Sequence, residues 1–217
     1  MSLKDSNIFK YLSFLFFMEK LVFDLWGTLA YLKPGEDFGI AIAKELEIKK
    51  EDYHNLVKQF WFKKDISAEE FARILIEQTG KRHGSADYLT RQILSPYGRQ
   101  ALFPETRNAL DRLAKAKELF LVSDTSSLGK KMFYELGISD FFKGVYFSCK
   151  EGLTKEEGLY YKVFDIMRVQ PKDVVIIGDS LRSDYEIPLS LGSNALLLDR
   201  NGSFPEVKRI SSLEDLK

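Results

Sequence analysis

Four apolar runs in this chain of 217 residues lead into side chains able to do nucleophilic, metal or proton chemistry. Leu21-Val22-Phe23 ends in Asp24, with Trp26, Gly27 and Thr28 following at once. Leu119 to Val122 ends in Ser123, Asp124 and Thr125, and the run at Gly144–Ser148 precedes Lys150 and Lys155. Val174 to Ile177 passes into Gly178-Asp179-Ser180, with Asp184 shortly after. A buried strand that delivers a carboxylate into a glycine turn places one charge at the mouth of a sheet, where ligands of open α/β sheets bind. If the strands run parallel, these groups share one sheet edge. Asp24, Asp179 and Asp184 would then repel one another unless Lys155 or a bound cation balanced them. Oxygen donors without nitrogen or sulfur suit Mg²⁺, which commonly takes one or two carboxylates together with phosphate oxygens of a substrate.

The surrounding pattern says what holds these groups. From Glu36 to Leu94 the apolar spacing is helical, with Phe38, Ile42 and Leu46, then Leu56 and Phe60, then Phe71, Ile74 and Leu75. Ser67 and Glu70 form a capping box, Gly80 closes that helix, and Lys81–Ser85 reads as a turn. Past Pro96 and Gly98, helices alternate with strands. The reading gives helices over Thr106–Lys117, Leu128–Leu136 and Lys155–Met167. Strands are expected at Glu118–Ser123, Gly144–Ser148 and Asp173–Ile177, with a short helix to Leu191 and a last strand at Ala195–Leu198. Continuously apolar strands alternating with helices predict a doubly wound parallel sheet covered on both faces, an α/β fold. The helical stretch after the first strand is too long for a single crossover and is expected to form an inserted cap. The expected organisation is an upstream extension over 1–17, an α/β core from 18–32 and 97–217, and a helical cap over 33–96. Phe60, Trp61 and Phe62 either pack between the cap helices or line a pocket.

In order and spacing, the polar strand ends resemble the four motifs of the haloacid dehalogenase superfamily, over roughly Lys20 to Asp199. The resemblance implies a Rossmann-like core under a mobile helical cap. It implies Asp24 as the nucleophile that forms an aspartyl intermediate, Ser123 as the hydroxyl that binds the transferring group, and Lys155 (with Lys150 as a rival) as the neutralising cation. Mg²⁺ would be held by Asp24, Asp179, Asp184 and the main-chain oxygen of Trp26. Thr28, Asp124 and Thr125 become the candidate substrate contacts. Two departures stand out: Glu156 replaces a proline that often follows the lysine, and Trp26 replaces a second aspartate. In the phosphatases of that family this aspartate protonates the leaving alcohol and then activates water. Loss of a positioned acid–base group removes about 10²–10⁴-fold in rate.

Three readings follow from Trp26. A phosphatase with a good leaving group needs the acid less. A 2-haloacid dehalogenase expels halide without a proton and carries an aromatic residue at this position. A metal- or ligand-binding scaffold needs no acid at all. The acidic pair Asp179 and Asp184 implies Mg²⁺ and phosphoryl chemistry. The lack of arginine between Asp24 and Arg73 counts against a halide site. The expected activity is therefore that of a Mg²⁺-dependent phosphatase acting on a small phosphorylated metabolite.

Lys+Arg and Asp+Glu balance at 32 each, which argues against nucleic acid or an anionic membrane as partner. The single Cys149 excludes an intrachain disulfide and fits a reducing cytoplasm. Tyr11–Met18 is apolar but too short to span a bilayer, and the extension is expected to dock on an apolar surface. The expected assembly is a monomer or homodimer. His54, His83 and Arg182 read as surface or packing residues.

Overall fold

The computed structural model describes residues 19–35, 37–80 and 86–216. In chain order the strands are β1 (Lys20–Phe23), β2 (Ala30–Leu32), β3 (Gln100–Leu102), β4 (Glu118–Ser123), β5 (Phe142–Phe147), β6 (Val174–Gly178), β7 (Asn194–Leu198) and β8 (Arg209–Ile210). Six of them form one sheet in the order β5-β4-β1-β6-β7-β8. All of its pairings are parallel, with Phe23 opposite both Leu121 and Ile177. After β1 the chain builds outward through β4 and β5, then returns to the other side of β1 for β6, β7 and β8. The carboxyl end of β1 therefore sits where the winding reverses, the place where such sheets bind ligands.

Apolar residues on both faces of each strand explain the parallel arrangement. Leu21, Phe23, Leu119, Leu121, Val175 and Ile177 point to one face, where Leu110 and Leu113 of α5 (Thr106–Ala114) and Phe133 of α6 (Ser127–Glu135) cover them. Val22, Phe120, Val122 and Ile176 point to the other, against Leu159, Val163 and Phe164 of α8 (Leu159–Met167). Each such fully buried side chain contributes about 1.5–3 kcal/mol relative to exposure, which fixes strand register to within one residue.

Between β2 and β3 lie α1 (Phe38–Glu45), α2 (Lys50–Leu56), a π-helical turn over Val57–Trp61, α3 (Ala68–Thr79) and α4 (Ala86–Leu94). They enclose a separate apolar cluster that includes Ile42, Leu46, Phe71, Leu75, Leu89 and Ile93. Ser67 and Glu70 make the reciprocal capping bonds at the start of α3, and Gly80 ends it with φ +64°. Trp61 is buried and stacks on Phe71 with ring centroids 4.6 Å apart, so it packs between helices as well as facing the cavity described below. At the base of the block, β2 and β3 pair antiparallel, Ala30 opposite Leu102 and Leu32 opposite Gln100. Sequence periodicity did not show this ribbon, because a strand of three residues is too short to display an alternation.

Several boundaries move. The expected strand at Gly144–Ser148 is β5, Phe142–Phe147, and Ser148 instead opens the short α7 (Ser148–Glu151). The expected helix over Lys155–Met167 is two pieces: a tight turn at Lys155–Glu157, then Gly158 with φ +108°, then α8. The break falls at Gly158, whose left-handed conformation cannot continue a helix, while the Asp124 carboxylate caps the Lys155 N–H at the start of the turn. The sheet also runs one strand further than Ala195–Leu198, since β8 pairs with β7. The extension over 1–17 and the turn at Lys81–Ser85 fall outside the described residues. Among the described residues no helix is long and apolar enough to cross a membrane.

Candidate active site

Asp24 follows β1 directly, and its backbone N–H bonds to the Ile177 carbonyl at 2.9 Å, prolonging the sheet hydrogen bonding by one residue. The side chain is buried. Lys155 Nζ lies 2.5 Å from Asp24 Oδ1 and 2.7 Å from Asp184 Oδ1, bridging the two carboxylates. The Tyr160 hydroxyl donates to the same Asp184 oxygen at 3.0 Å, and the Ser180 N–H donates to the other at 3.1 Å. Asp184 is thus a buried carboxyl with three hydrogen-bond partners, Lys155, Tyr160 and the Ser180 N–H. Asp179, exposed at the mouth, completes a group of three carboxylates whose ligand oxygens lie within 4.8 Å of one another.

Two glycines make this approach possible. A Cβ on Gly27 would stand 2.1 Å from an Asp179 carboxylate oxygen, and one on Gly178 would stand 2.3 Å from the Asp184 carboxyl. Gly27 also has φ +81°, a conformation that a side chain disfavours. The main chain between Trp26 and Gly27 is therefore packed against Asp179. The Thr28 hydroxyl donates to Asp179 Oδ1 at 3.3 Å and holds that carboxylate toward the group.

The electrostatics follow from one lysine facing several acids. Burial pulls Lys155 down, but Asp184 and Asp24 outweigh it and hold the ammonium well above its ordinary range. For Asp24 burial is the largest influence and raises its pKa. Lys155 opposes it, Asp184 and Asp179 add to it, and the carboxyl ends at about 8. Lys155 alone does not offset the crowding of Asp24, so an added cation would favour its ionised form. Tyr160, buried beside Asp184, is held well above its ordinary value, chiefly by burial, and stays a donor.

Across the edge, Ser123 ends β4 fully buried, and its hydroxyl has no hydrogen-bond partner. Asp124 accepts from the Lys155 N–H at 2.9 and 3.3 Å, which fixes the start of the turn that carries the lysine. Burial raises the Asp124 carboxyl to about 6. Thr125 is locked in place: its N–H bonds to Ser148 Oγ at 2.9 Å, and its hydroxyl accepts from the Trp26 indole N–H at 3.1 Å. Trp26 also rests on the main core, half-buried. Trp26, Asp124 and Thr125 form the floor of a cavity of about 360 Å³ that extends between the sheet edge and the helical block.

The structure brings Asp24, Lys155, Asp179 and Asp184 into one cluster, with Ser123 and Asp124 on the neighbouring strand end. Thr28 and Thr125 spend their hydroxyls on Asp179 and Trp26. Lys150, the rival cation, lies in α7 beyond this cluster. Tyr160, Ser148 and Ser180 also serve the site. Only the proximity of Ser180 to Asp179 hinted at any of them, since the other two contacts depend on the packing of α7 and α8. Arg200 is a further support: it donates to the Thr28 carbonyl at 3.0 Å and pairs with Glu105 at 2.6 Å.

Solved structures share this fold. A HAD family enzyme from Bacteroides thetaiotaomicron, solved as an Asp-to-Ala mutant with magnesium and inorganic phosphate, is 19% identical with a TM-score of 0.64, covering 83% of this chain and 93% of its own. A 2-haloacid dehalogenase from Pseudomonas syringae is 16% identical with a TM-score of 0.65, covering 92% and 96%. A HAD phosphatase from Thermococcus onnurineus is 19% identical with a TM-score of 0.61, again covering 92% and 96%. At these identities the likeness is one of fold. No sequence among curated proteins matches the chain. The family model for haloacid dehalogenase-like hydrolases matches residues 19–191, most of the chain and all of the clustered side chains. The protein belongs to the haloacid dehalogenase-like hydrolases.

Proposed function

We propose that the protein is a Mg²⁺-dependent phosphatase that acts on a small phosphomonoester through an aspartyl intermediate on Asp24. The observation that carries this reading is the group of three carboxylates, Asp24, Asp179 and Asp184, drawn within 4.8 Å of one another beside a single lysine. Its donors are all oxygen and one is exposed at the mouth, which fits Mg²⁺. Asp24, Asp179, Asp184 and the main-chain oxygen of Trp26 would hold the ion, which when bound offsets charge on the transferring phosphoryl group.

In the first step an Asp24 oxygen attacks phosphorus, and the ester P–O bond breaks with its electron pair leaving on the alcohol oxygen. Ser123, whose hydroxyl is unpartnered, would donate to a phosphoryl oxygen, and Lys155 would neutralise charge as it develops. Water then attacks phosphorus, the bond between phosphorus and the Asp24 oxygen breaks with its electron pair returning to the carboxylate, and inorganic phosphate leaves carrying the proton that the water brought. Trp26 cannot protonate the departing oxygen, so substrates whose leaving oxygen carries its own charge well are favoured. Residues 33–96 act as the cap. Lys63–Glu157 at 2.7 Å and Lys58–Glu156 at 3.3 Å tie the helical block to the turn that carries Lys155.

The aromatic residue at position 26 favours a second reading, a 2-haloacid dehalogenase, in which Asp24 attacks carbon and halide leaves. One set of assays separates the two. Phosphate release from acetyl phosphate and p-nitrophenyl phosphate is expected with Mg²⁺, and is expected to disappear with EDTA or in Asp24→Asn. Chloride release from 2-chloropropionate without Mg²⁺-dependent phosphate release would transfer the assignment to the dehalogenase. Inactivity in both would leave a binding scaffold.

A further inference from the structure

The turn that carries Lys155 is held by two carboxylates. Asp124 accepts from the Lys155 N–H at 2.9 Å, and Glu157 closes a capping box with Thr154. One Glu157 oxygen, Oε2, accepts from both the Thr154 N–H and the Thr154 hydroxyl at 3.1 Å. The other, Oε1, accepts from Lys63 Nζ of the helical block at 2.7 Å. A single side chain therefore spans the seam, with one oxygen committed to the turn and one to the block. The terminal torsion of a glutamate is soft, so a charged partner on Oε1 helps to keep Oε2 turned toward Thr154. The Lys63 bond is also the largest of the influences that hold this carboxyl below its usual range, so it stays ionised at neutral pH. The neighbouring Glu156 reaches Lys58 at 3.3 Å, and both of those side chains are about half exposed.

We infer that Glu157 is a positioning residue that transmits the seating of the helical block to the turn that holds Lys155. The inference rests on the phosphatase reading for its effect on rate, while the contact itself is independent of the reaction. Lys155 Nζ bridges Asp24 and Asp184 at 2.5 and 2.7 Å, so a shift of its main chain moves the ammonium relative to the nucleophile. A block that lifts takes Lys63 away from Oε1 and leaves the Glu157 carboxylate free to turn to water. The cap on Thr154 then weakens, and the lysine turn loosens with it. A substrate that seats the block restores both contacts and sets the lysine against Asp24. Misplacement by about 1 Å can cost on the order of 10²-fold in rate, so a modest loosening of the turn is enough to matter. Glu157 does this without touching substrate or the reacting atoms.

Amide hydrogen exchange followed by NMR in EDTA, without turnover, tests the link. The Thr154 N–H is the reporter, because its acceptor is Glu157 itself. In Lys63→Gln it is expected to exchange roughly 2- to 5-fold faster than in wild type, the equivalent of one exposed pair. Lys58→Gln breaks the neighbouring pair and should leave that amide unchanged. Turnover of p-nitrophenyl phosphate with Mg²⁺ then separates the two oxygens of Glu157. Glu157→Gln keeps an oxygen for Thr154 but turns an amide N–H toward Lys63, so KM is expected to rise about 2- to 5-fold while most of kcat is kept. Glu157→Ala loses both contacts, and its kcat is expected to fall by about 10-fold as well. Thr154 exchange that ignores Lys63→Gln, or that responds equally to Lys58→Gln, would overturn the inference. Equal kcat values in the two Glu157 variants would overturn it too. Either result with phosphate release intact leaves the phosphatase reading standing. Exchange that follows Lys63, with no phosphate ester hydrolysed, would overturn that reading and leave the link in place.

Discussion

The indole N–H of Trp26 donates to the hydroxyl of Thr125 at 3.1 Å, joining the turn after β1 to the turn after β4. Where an acid would be useful, the chain has a structural strut that also forms the cavity floor. Trp26→Asp should therefore do two opposed things. It supplies a carboxyl beside the leaving oxygen, and the kcat for alkyl phosphates should rise by about 10-fold or more, toward the 10²–10⁴ of a positioned acid. It also removes a packed aromatic ring and its hydrogen bond, at a cost of about 2–4 kcal/mol in urea denaturation. Trp26→Phe keeps most of the packing and should lose only about 0.5–1.5 kcal/mol, with no gain in rate. An unchanged alkyl phosphatase rate in Trp26→Asp would mean that another group already serves as acid.

Among the described residues Lys155 is the one cation bonded to the Asp24–Asp184 pair, and both carboxylates are buried. Its pKa is raised by folding, so its stabilising contribution is complete below its unfolded value of about 10.4 and would fade only in strongly alkaline solution. Between pH 5 and 8, removal of the lysine charge should act through the acids it leaves behind. Lys155→Met is expected to abolish turnover and to cost about 3–5 kcal/mol at pH 8 in EDTA. The loss should be smaller at pH 5, where the orphaned carboxyls can take up protons. Equal losses at the two pH values would show that packing of the aliphatic stem, and not the charge, is what the fold requires.

Much of this site was legible before folding, and the reason is geometric. A parallel sheet brings all its strand ends to one edge, so Asp24, Ser123 and Asp179 could be grouped from chain order alone. The glycines at 27 and 178 were visible as turn residues, although only the structure shows that they are the clearance for Asp179 and Asp184. Contacts that depend on how α7, α8 and the helical block settle on the sheet left no local trace. Tyr160 carries no sequence signal of its contact with Asp184, Ser148 reads as the end of a strand, and Trp61 reads either as helix packing or as a pocket wall. The β2–β3 ribbon was hidden for a different reason, since pairing of three residues is decided by the crossover it closes and not by propensity.

Asp124 gives a pH signature of its own. Burial raises its carboxyl to about 6 in the folded protein, against about 3.9 when unfolded. The folded state therefore holds the proton more tightly, and between about pH 4 and 6 stability should fall as pH rises. Asp124→Asn removes that titration and can still accept from the Lys155 N–H through its amide oxygen. In EDTA, the stability of the variant relative to wild type should increase through this window and level off above it. A difference that stays flat from pH 4 to 7 would show that the ionised carboxylate costs the fold nothing.

The turn that carries Lys155 also carries Glu156 and Glu157, which pair with Lys58 and Lys63 of the helical block. Lys130 and Asp65 make a third contact across the same seam. Exposed pairs of this kind are worth about 0–1 kcal/mol each and weaken with salt, because the screening length shrinks to about 3 Å at 1 M. If closure of the block completes the substrate cavity, the pairs should register in KM before they register in kcat. Lys63→Gln is expected to raise KM for an aryl phosphate by roughly 2- to 5-fold with kcat nearly unchanged, the equivalent of one such pair. Wild-type KM should rise between 0.1 and 1 M KCl, and should rise less steeply in Lys63→Gln. A KM that ignores both salt and the substitution would mean that apolar contacts, such as Leu128 against the helical cluster, hold the block in place.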